Sequence, residues 1–467
     1  MMGLVAAFGY GVRVDDDAGR VREAWDALAA AVLAEAWRTN SPVDRVLRRV
    51  FQADTRAARG RAAQEGVARA GLGGAGRRAV AARVHATSAW RLTHAYALGL
   101  GVAPTVEQLA AAAAALVARE GACALREATL DVSAILAGAA EAVRAPVIDA
   151  GEPPLPDDPT LALAVLSSLP PWIAARWRAE LGDDGARALA RASSRPGPIG
   201  VRARVSEHAG LVARMEAEGV VATPMRYAPL GFVLTPSSGP SAPARVDVRG
   251  SPSLRARAFE VQDEGSQLVV EACVAGGTRP LRVLDACAGA GGKTLALLDR
   301  LGPEVRIVAA DVDAARIADL RGRLVGHPDA ARVELRVGGP EVWGDAPYAL
   351  VLVDGPCTAL GTWRRGPDRR WHVGPGDAAR HAATNRALLA AAARALAPGG
   401  RLVFSTCTLL HEENEAVADT VALPPVGVFD GALASALGAS PRVTLRPDVH
   451  GTDGFFIAAW RAPPGAR

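Results

Sequence analysis

A chain of 467 residues, half of them hydrophobic, can fill two or three separate cores, while a formal charge of +4 is too small to mark a polyanion-binding surface by itself. The five cysteines (Cys123, Cys273, Cys287, Cys357, Cys407) are odd in number and lack CxxC spacing, so neither a disulfide framework nor a metal site is expected and a reducing compartment fits best. The basic residues are lopsided, Lys293 standing alone against 52 arginines, as codon bias in a GC-rich genome produces.

The opening "MMGLVAAFGYGVRVDDDAGR" has no basic segment before its short apolar run, which argues against a signal peptide. No run has the length and hydropathy of a membrane span, and "LAAAAAALVA" reads as alanine-rich helix, so a cytoplasmic protein with no membrane partner is expected. Residues 20–145 read as helices throughout. "VREAWDALAAAVLAEAWRT" keeps apolar residues at three and four spacing. "SPVDRVLRRVF" opens with Ser41 as N-cap, Pro42 in the first turn and Asp44 near the helix start. Arg45, Arg48 and Arg49 form a basic face there, read as ordinary surface. "APVIDAGEPPLPDDPTL" is a linker by its proline and aspartate content.

Residues 160–250 are mixed: a helix starting near Pro170–Trp172, then short strands in "GPIGVRARV" and "VVATPMRYAPLGFVL", a small α+β domain. From 251 to 464 the pattern becomes α/β. "LRVLDAC", "RIVAAD", "RVELRV", "YALVLVDG" and "GRLVFSTC" are apolar strands, and helices are expected in "GGKTLALLDRL", "AARIADLRGRLV", "AARHAATNRALLAAAARAL" and "EENEAVADTVA". "RVTLRPDVHGTDGFFIAAW" reads as a terminal hairpin.

The loop "DACAGAGGKT" after the first of these strands looks like a phosphate cradle. A P-loop needs glycine five positions before the Gly-Lys pair, and Cys287 stands there. A dinucleotide fingerprint fits Gly289 and Gly291, but Thr294 takes the third slot. What remains is strand, Asp285, a glycine turn from Cys287, Ala288, Gly289, Ala290 and Gly291 to Gly292 and Lys293, then helix. Asp311 ends the next strand, where an acid takes ribose hydroxyls. The layout suits a nucleoside without a pyrophosphate, of which S-adenosylmethionine is the common one.

Two further strands end in cysteine, at "VDGPCTALGTWRRGPDRRW" and "FSTCTLLHEENE", so Cys357 and Cys407 are expected on the same sheet rim as the glycine turn. Each alone is read first as a small buried hydrophobe. "WRRGPDRRWH" carries four arginines and two tryptophans, a composition suited to phosphates and unstacked bases or to a solvated loop.

Together these motifs resemble the Sun/Fmu branch of the Nop/Sun family of RNA cytosine-5 methyltransferases. "VLDACAGAGGKT" is similar to its cofactor loop, usually Ala-Pro-Gly-Gly-Lys, "DGPCTALGTWRRGPDRRW" to its Asp-Ala-Pro-Cys motif, and "STCTLLHEENE" to its Ser-Thr-Cys-Ser motif. "FEVQDEGSQL", "DGFFIAAW" and "LPPWIAARW" are similar to further family segments, and the helical first 145 residues resemble, more loosely, a NusB-type domain.

The resemblance implies a Rossmann-like catalytic domain that binds S-adenosylmethionine and methylates carbon 5 of a cytidine, most naturally in small-subunit (16S) ribosomal RNA. Transfer RNA as substrate and a non-catalytic RNA-binding assembly factor are the rivals. It makes Cys407 the nucleophile and gives Cys357 the release of the methylated base, an order the residues alone leave open. Asp354 then bonds the base and lies near the cofactor, and Lys293 lowers a cysteine pKa, orients Asp354 or makes a phosphate or helix-end contact. Arg364, Arg365 and Trp371 are the implied RNA contacts, and a monomer is expected. Three positions depart from the family: Ala290 for proline, Gly355 for alanine, and Gly338 or Gly339 where an aspartate is usual, so weaker cofactor binding is expected.

Overall fold

A computed structural model describes residues 18–65, 74–119, 154–237, 246–277, 281–344 and 347–465. Cys123, the opening segment to residue 17 and most of the linker lie outside them. The chain divides into two compact units, one comprising residues 1–195 and 365–374, the other 196–364 and 375–467.

In the first unit every described regular element is helical. Helices α1 (Ala18–Arg38), α2 (Val43–Glu65) and α3 (Gly74–Ala89) pack around Leu33, Val46, Val80 and Leu116, all buried. The run expected to continue past α3 breaks at Trp90 and resumes as α4 (Arg91–Ala97). Thr105 caps α5 (Val106–Ala111) with a reciprocal capping box to Gln108. Asp158 accepts from the N–H groups of Thr160 (2.7 Å) and Leu161 (3.0 Å) to start α6 (Pro159–Ser167), and α7 (Pro171–Ser194) follows.

Ser41 is not the cap of α2. The Val43 N–H donates instead to Asp368 Oδ2 at 3.0 Å, a carboxylate 325 residues along the chain. Asp368 also accepts from the Ser88 hydroxyl (2.8 Å) and faces His372 Nε2 (2.7 Å). Its neighbour Arg370 is buried and donates to the Ala89 carbonyl at 2.6 Å. Burial pushes the Arg370 pKa down to about 9, against the opposing pull of Asp368. Residues 365–374 are thus a polar key set among the helices.

The second unit holds two sheets. The smaller is antiparallel, in the order β2 (Val220–Pro224), β3 (Gly231–Pro236), β1 (Ile199–Ala203), β4 (Phe259–Val261). The larger runs β10-β11-β9-β8-β5-β6-β7. Its parallel strands are β5 (Arg282–Asp285), β6 (Arg306–Asp311), β7 (Val333–Val337), β8 (Tyr348–Asp354) and β9 (Leu396–Thr406). The expected terminal hairpin, β10 (Arg442–Leu445) with β11 (Phe455–Arg461), joins antiparallel along β9.

Both faces of this sheet are covered, which is why its strands read as unbroken apolar runs. Leu350 and Leu352 pack with α8 (Glu264–Val274), α9 (Gly292–Arg300) and α10 (Ala314–Leu324). Val351 and Val353 face the other way, toward α11 (Pro375–Ala395). The segment "EENEAVADTVA" forms only a short turn of helix, Glu415–Ala418. Asn414 leaves helical geometry there (φ −113°, ψ −92°), because its side chain is held by the Thr406 hydroxyl at 2.5 Å and donates to the Thr408 carbonyl at 3.1 Å. Among the described residues no helix is long and apolar enough to cross a membrane.

Candidate active site

The glycine turn lies between β5 and α9 and is held from three sides. Ala288 N–H donates to the Ala310 carbonyl (2.9 Å), and Gly289 N–H donates to Asp311 Oδ2 (2.8 Å), so Asp311 ties the turn to the end of β6. The other Asp311 oxygen accepts from Asp313 N–H at 2.9 Å. Gly291 has φ +86°, and a Cβ there would lie 2.1 Å from Leu320 Cδ1; only glycine lets the turn close onto α10. Ala290 does not leave the turn slack. Its carbonyl accepts from Arg323 at 2.7 Å, and Arg323 is in turn paired with Glu260 at 2.7 Å.

The turn also has room and unused hydrogen-bonding capacity. A Cβ on Gly289 or on Gly292 would meet nothing within 4 Å. Asp285 is fully buried at the end of β5; its Oδ2 accepts from the Thr294 hydroxyl at 2.6 Å and its Oδ1 has no hydrogen-bond partner among the described residues. An orphaned acceptor beside an open glycine turn fits a ligand carrying donors, as the ammonium and ribose of S-adenosylmethionine do. Cys287 and Ala288 line the start of the turn, and burial pushes the Cys287 thiol well up, leaving it a neutral packing group.

Burial also pushes the Asp285 carboxyl up to about 7, with the Thr294 hydroxyl working against it. The folded pKa therefore exceeds the unfolded one, so the folded state binds more protons between about pH 4 and 7 and loses stability as pH rises through that window. We expect Asp285→Asn to remove that slope, worth up to about 4 kcal/mol. Unfolding free energies of wild type and variant, measured in urea from pH 5 to 8 without cofactor, check this; parallel curves would refute it.

At the third strand end, Gly338 N–H donates to the Asp311 carbonyl (3.0 Å) and Gly339 N–H to Glu341 Oε1 (2.6 Å). A Cβ on Gly338 would fall 2.7 Å from that same carboxylate oxygen. Glu341 thus closes the loop at the strand end where the family usually has an aspartate. Hydrogen bonds from its own backbone N–H and from Gly339 hold the Glu341 carboxyl below its ordinary range. Gly355 is likewise accommodated: a Cβ there would lie 2.2 Å from Asn385 Oδ1, and Asn385 donates to the Pro356 carbonyl at 2.9 Å.

The ends of β8 and β9 bring the cysteines together. Asp354 closes β8; its Oδ2 accepts from Lys293 Nζ and its Oδ1 from the Ser405 hydroxyl, each at 2.6 Å. Lys293, from the first turn of α9, also sits 5.4 Å from the centroid of the Phe455 ring. Burial works against its charge, but the adjoining Asp354 outweighs it and raises the Lys293 pKa. Cys357 and Cys407 lie with their sulfurs 3.4 Å apart. Gly361 N–H donates to the Cys407 carbonyl at 2.9 Å, and Gly361 needs to be glycine because the Gly454 carbonyl would lie 2.2 Å from any Cβ.

The two sulfurs are electrostatically unlike. The hydrogen bond from Cys357 lowers the Cys407 pKa, helped by the Lys293 charge and the Thr362 hydroxyl and opposed by burial and Asp354. The same bond, then burial, raises Cys357. Of the pair, Cys407 is therefore the sulfur more readily deprotonated and Cys357 the one more inclined to keep its proton.

The expected RNA contacts divide differently. Arg364 is turned inward: its side chain is 7% exposed, paired with the fully buried Asp453, and it donates to the Gly451 carbonyl at 3.0 Å. Trp371 packs in the helical unit with the Arg91 guanidinium 4.6 Å from its ring centroid and Arg370 5.9 Å away. The Arg- and Trp-rich loop thus spends these two side chains on internal contacts; Arg365 is exposed. Ser405, Thr358, Thr408 and Glu413 join the site without having been singled out in the sequence, although Ser405 and Thr408 flank Cys407 closely and Thr358 follows Cys357. Among the described residues no His, Cys, Asp or Glu cluster could hold a metal ion.

Comparison with known proteins bears on this geometry. Residues 278–461 match the family model described as 16S rRNA methyltransferase RsmB/F. The Mycobacterium tuberculosis protein named "Putative methyltransferase Rv1407" is 37% identical over 332 residues, 66% of this chain and 67% of the relative. Ribosomal RNA small subunit methyltransferase F of Escherichia coli is 34% identical over 214 residues, 44% of each chain. The crystal structure of a methyltransferase homologue from Pyrococcus horikoshii superposes with a TM-score of 0.53 at 26% identity, covering 66% of this chain and 100% of that one.

Proposed function

The chain belongs to the RsmB/F methyltransferase family, and from that premise we propose that it transfers a methyl group to carbon 5 of a cytidine in small-subunit ribosomal RNA, through a covalent bond from Cys407 to the base. As a family member it is an RNA methyltransferase with S-adenosylmethionine as its cofactor. The observation that carries the finer reading is the cysteine pair, two sulfurs 3.4 Å apart with opposite pKa shifts beside an Asp–Lys ion pair.

Carbon 5 of cytosine is a poor nucleophile. Attack of the Cys407 thiolate on carbon 6 makes the ring an enamine-like nucleophile at carbon 5. S-adenosylmethionine, when bound, supplies the electrophilic methyl. Asp354, fixed by Lys293 and Ser405, still has lone pairs with which to bond the exocyclic amine and position the ring. Transfer of the carbon 5 proton to a solvent-borne base and cleavage of the carbon 6–sulfur bond then restore the ring double bond and free Cys407 as a thiolate; Cys357 assists this release by giving a hydrogen bond to the departing sulfur. Asp311, at the end of β6, is the acid we assign to the cofactor's ribose, and the orphaned Asp285 acceptor the group we assign to a donor over the glycine turn. Arg365 is the RNA contact we carry forward from the 364–371 loop. The target must be an unstacked base, since neither sulfur can reach carbon 6 within a helix. The match to a family model described as 16S rRNA methyltransferase and the likeness to a ribosomal RNA small subunit methyltransferase support a ribosomal target over transfer RNA.

The test is a covalent trap. Ribosomal RNA containing 5-fluorocytidine, incubated with the protein and cofactor, is expected to give a denaturation-resistant protein–RNA adduct, because fluorine at carbon 5 cannot leave as a proton does. Bisulfite sequencing of small-subunit RNA from a strain lacking the protein is expected to show one lost 5-methylcytidine. No adduct would sink the covalent mechanism and favour an assembly factor; a loss confined to transfer RNA would move the substrate.

A further inference from the structure

Beneath the two sulfurs lies a buried polar cluster that the chemistry above does not use. Thr358, which follows Cys357, donates its N–H to Glu413 Oε1 at 2.9 Å and its hydroxyl to Glu413 Oε2 at 2.5 Å. The Thr358 oxygen also lies 2.9 Å from the hydroxyl of Thr408, the residue that follows Cys407. Glu413 is completely buried, and its remaining contact is His381 Nδ1 at 3.2 Å. Thr358 and Thr408 are themselves buried.

The chemistry of this cluster has a direction. Each donor aims at Glu413: the Thr358 hydroxyl gives its proton to the carboxylate, so its oxygen is left to accept the Thr408 hydroxyl. One chain of hydrogen bonds therefore fastens the residue after one cysteine to the residue after the other. Two thiols on separate strand ends have no covalent reason to stay 3.4 Å apart. A sulfur–sulfur hydrogen bond is weak and falls off steeply with distance, so its strength depends on what holds the two loops in place. A buried carboxylate taking two bonds from one residue is a stiff anchor, since losing either leaves an unsatisfied charge.

We propose that Thr358, Thr408 and Glu413 form a clamp of positioning residues that fixes the spacing of the two sulfurs, and so sets the reactivity of Cys407. None of the three touches the reacting sulfurs through its own side chain in the hydrogen bonds described; they act through the backbone of the two cysteine-bearing loops. The inference rests on the roles given to the cysteines above, and its test reads the sulfurs without needing RNA or cofactor.

The experiment measures alkylation of Cys407 by iodoacetamide from pH 5.5 to 10, quantified on the Cys407 peptide by mass spectrometry. Thr358→Val removes the hydroxyl at nearly constant shape, Thr358→Ser restores it, and Thr408→Val breaks the link while leaving both Thr358–Glu413 bonds. Wild type and Thr358→Ser are expected to react with a midpoint below that of a free thiol. Both valine variants are expected to move the midpoint up by about one pH unit, which at neutral pH slows Cys407 alkylation about tenfold. An unchanged midpoint in folded Thr408→Val overturns the clamp, and that variant decides alone if Thr358→Val does not fold. A wild-type midpoint already at the free-thiol value would instead overturn the assignment of the nucleophile. The two failures are thus separable in one titration.

Discussion

Cys407→Ala is expected to abolish methyl transfer, lowering kcat by at least about 10⁴-fold, while Cys357→Ala is expected to form the RNA adduct and then stall on it. The asymmetry follows from the pair's electrostatics. Cys407 is the sulfur whose pKa is pulled down by its hydrogen bond from Cys357 and by Lys293, and Cys357 is the sulfur that keeps its proton. Without Cys407 the remaining thiol is still held neutral by its burial and by the nearby Glu413, and a neutral thiol adds to an aromatic ring very slowly. Without Cys357 the nucleophile survives, but it loses the S–H donor at 3.4 Å, so attack is slower and release, which needs that group, slower still. Wild-type and variant proteins incubated with unmodified RNA and cofactor, then run on a denaturing gel, separate the cases. An adduct with Cys407→Ala and none with Cys357→Ala would reverse the two roles.

How much of this was legible in the sequence depended on whether the interaction was local. The parallel sheet was legible because strands buried on both faces must be apolar at every position, and Leu350 to Val353 are all fully buried. The rim position of Cys357 and Cys407 followed from the same strands, since Cys357 comes three residues after the end of β8 and Cys407 directly after the end of β9, where the runs can only end at the sheet's edge. Local signals failed where a distant group intervened. Ser41 has the composition of an N-cap, yet Asp368 takes the Val43 N–H. No window of sequence contains both partners. Arg364 reads as a phosphate contact by composition, but the buried carboxylate of Asp453 lies 89 residues on and claims it. The helix expected in "EENEAVADTVA" has adequate propensity, but Asn414 is pulled out of helical geometry by Thr406 and Thr408, whose own positions are set by β9 and its cysteine. The departures at Ala290 and Gly339 read as weakness in isolation. Arg323 and Glu341 support those positions from 33 and 2 residues away, which a family motif read column by column does not show.

Lys293→Arg is expected to cost about 100-fold in kcat/KM although it preserves the charge. The ammonium is a compact donor, 12% exposed, between Asp354 Oδ2 at 2.6 Å and the Phe455 ring. A guanidinium carries five N–H donors in a rigid plane and is longer. Asp354 Oδ1 is already taken by the Ser405 hydroxyl at 2.6 Å, so a two-pronged pairing with the carboxylate would have to displace Ser405 and rotate Asp354 away from the base. Phe455 is buried in the apolar cluster and cannot yield on the other side. Lys293→Met tests the charge itself. It leaves Asp354 without its counter-ion, which costs about 3 kcal/mol for a largely buried pair, and removes the positive charge that helps lower Cys407. The Met variant should therefore raise the Cys407 alkylation midpoint, whereas the Arg variant should leave it low and lose rate through misplacement of Asp354. Single-turnover rates with saturating RNA, set beside the alkylation profiles, divide the two effects. If Lys293→Arg turns over within about threefold of wild type, the lysine serves as charge alone and the geometric role given to it here is wrong.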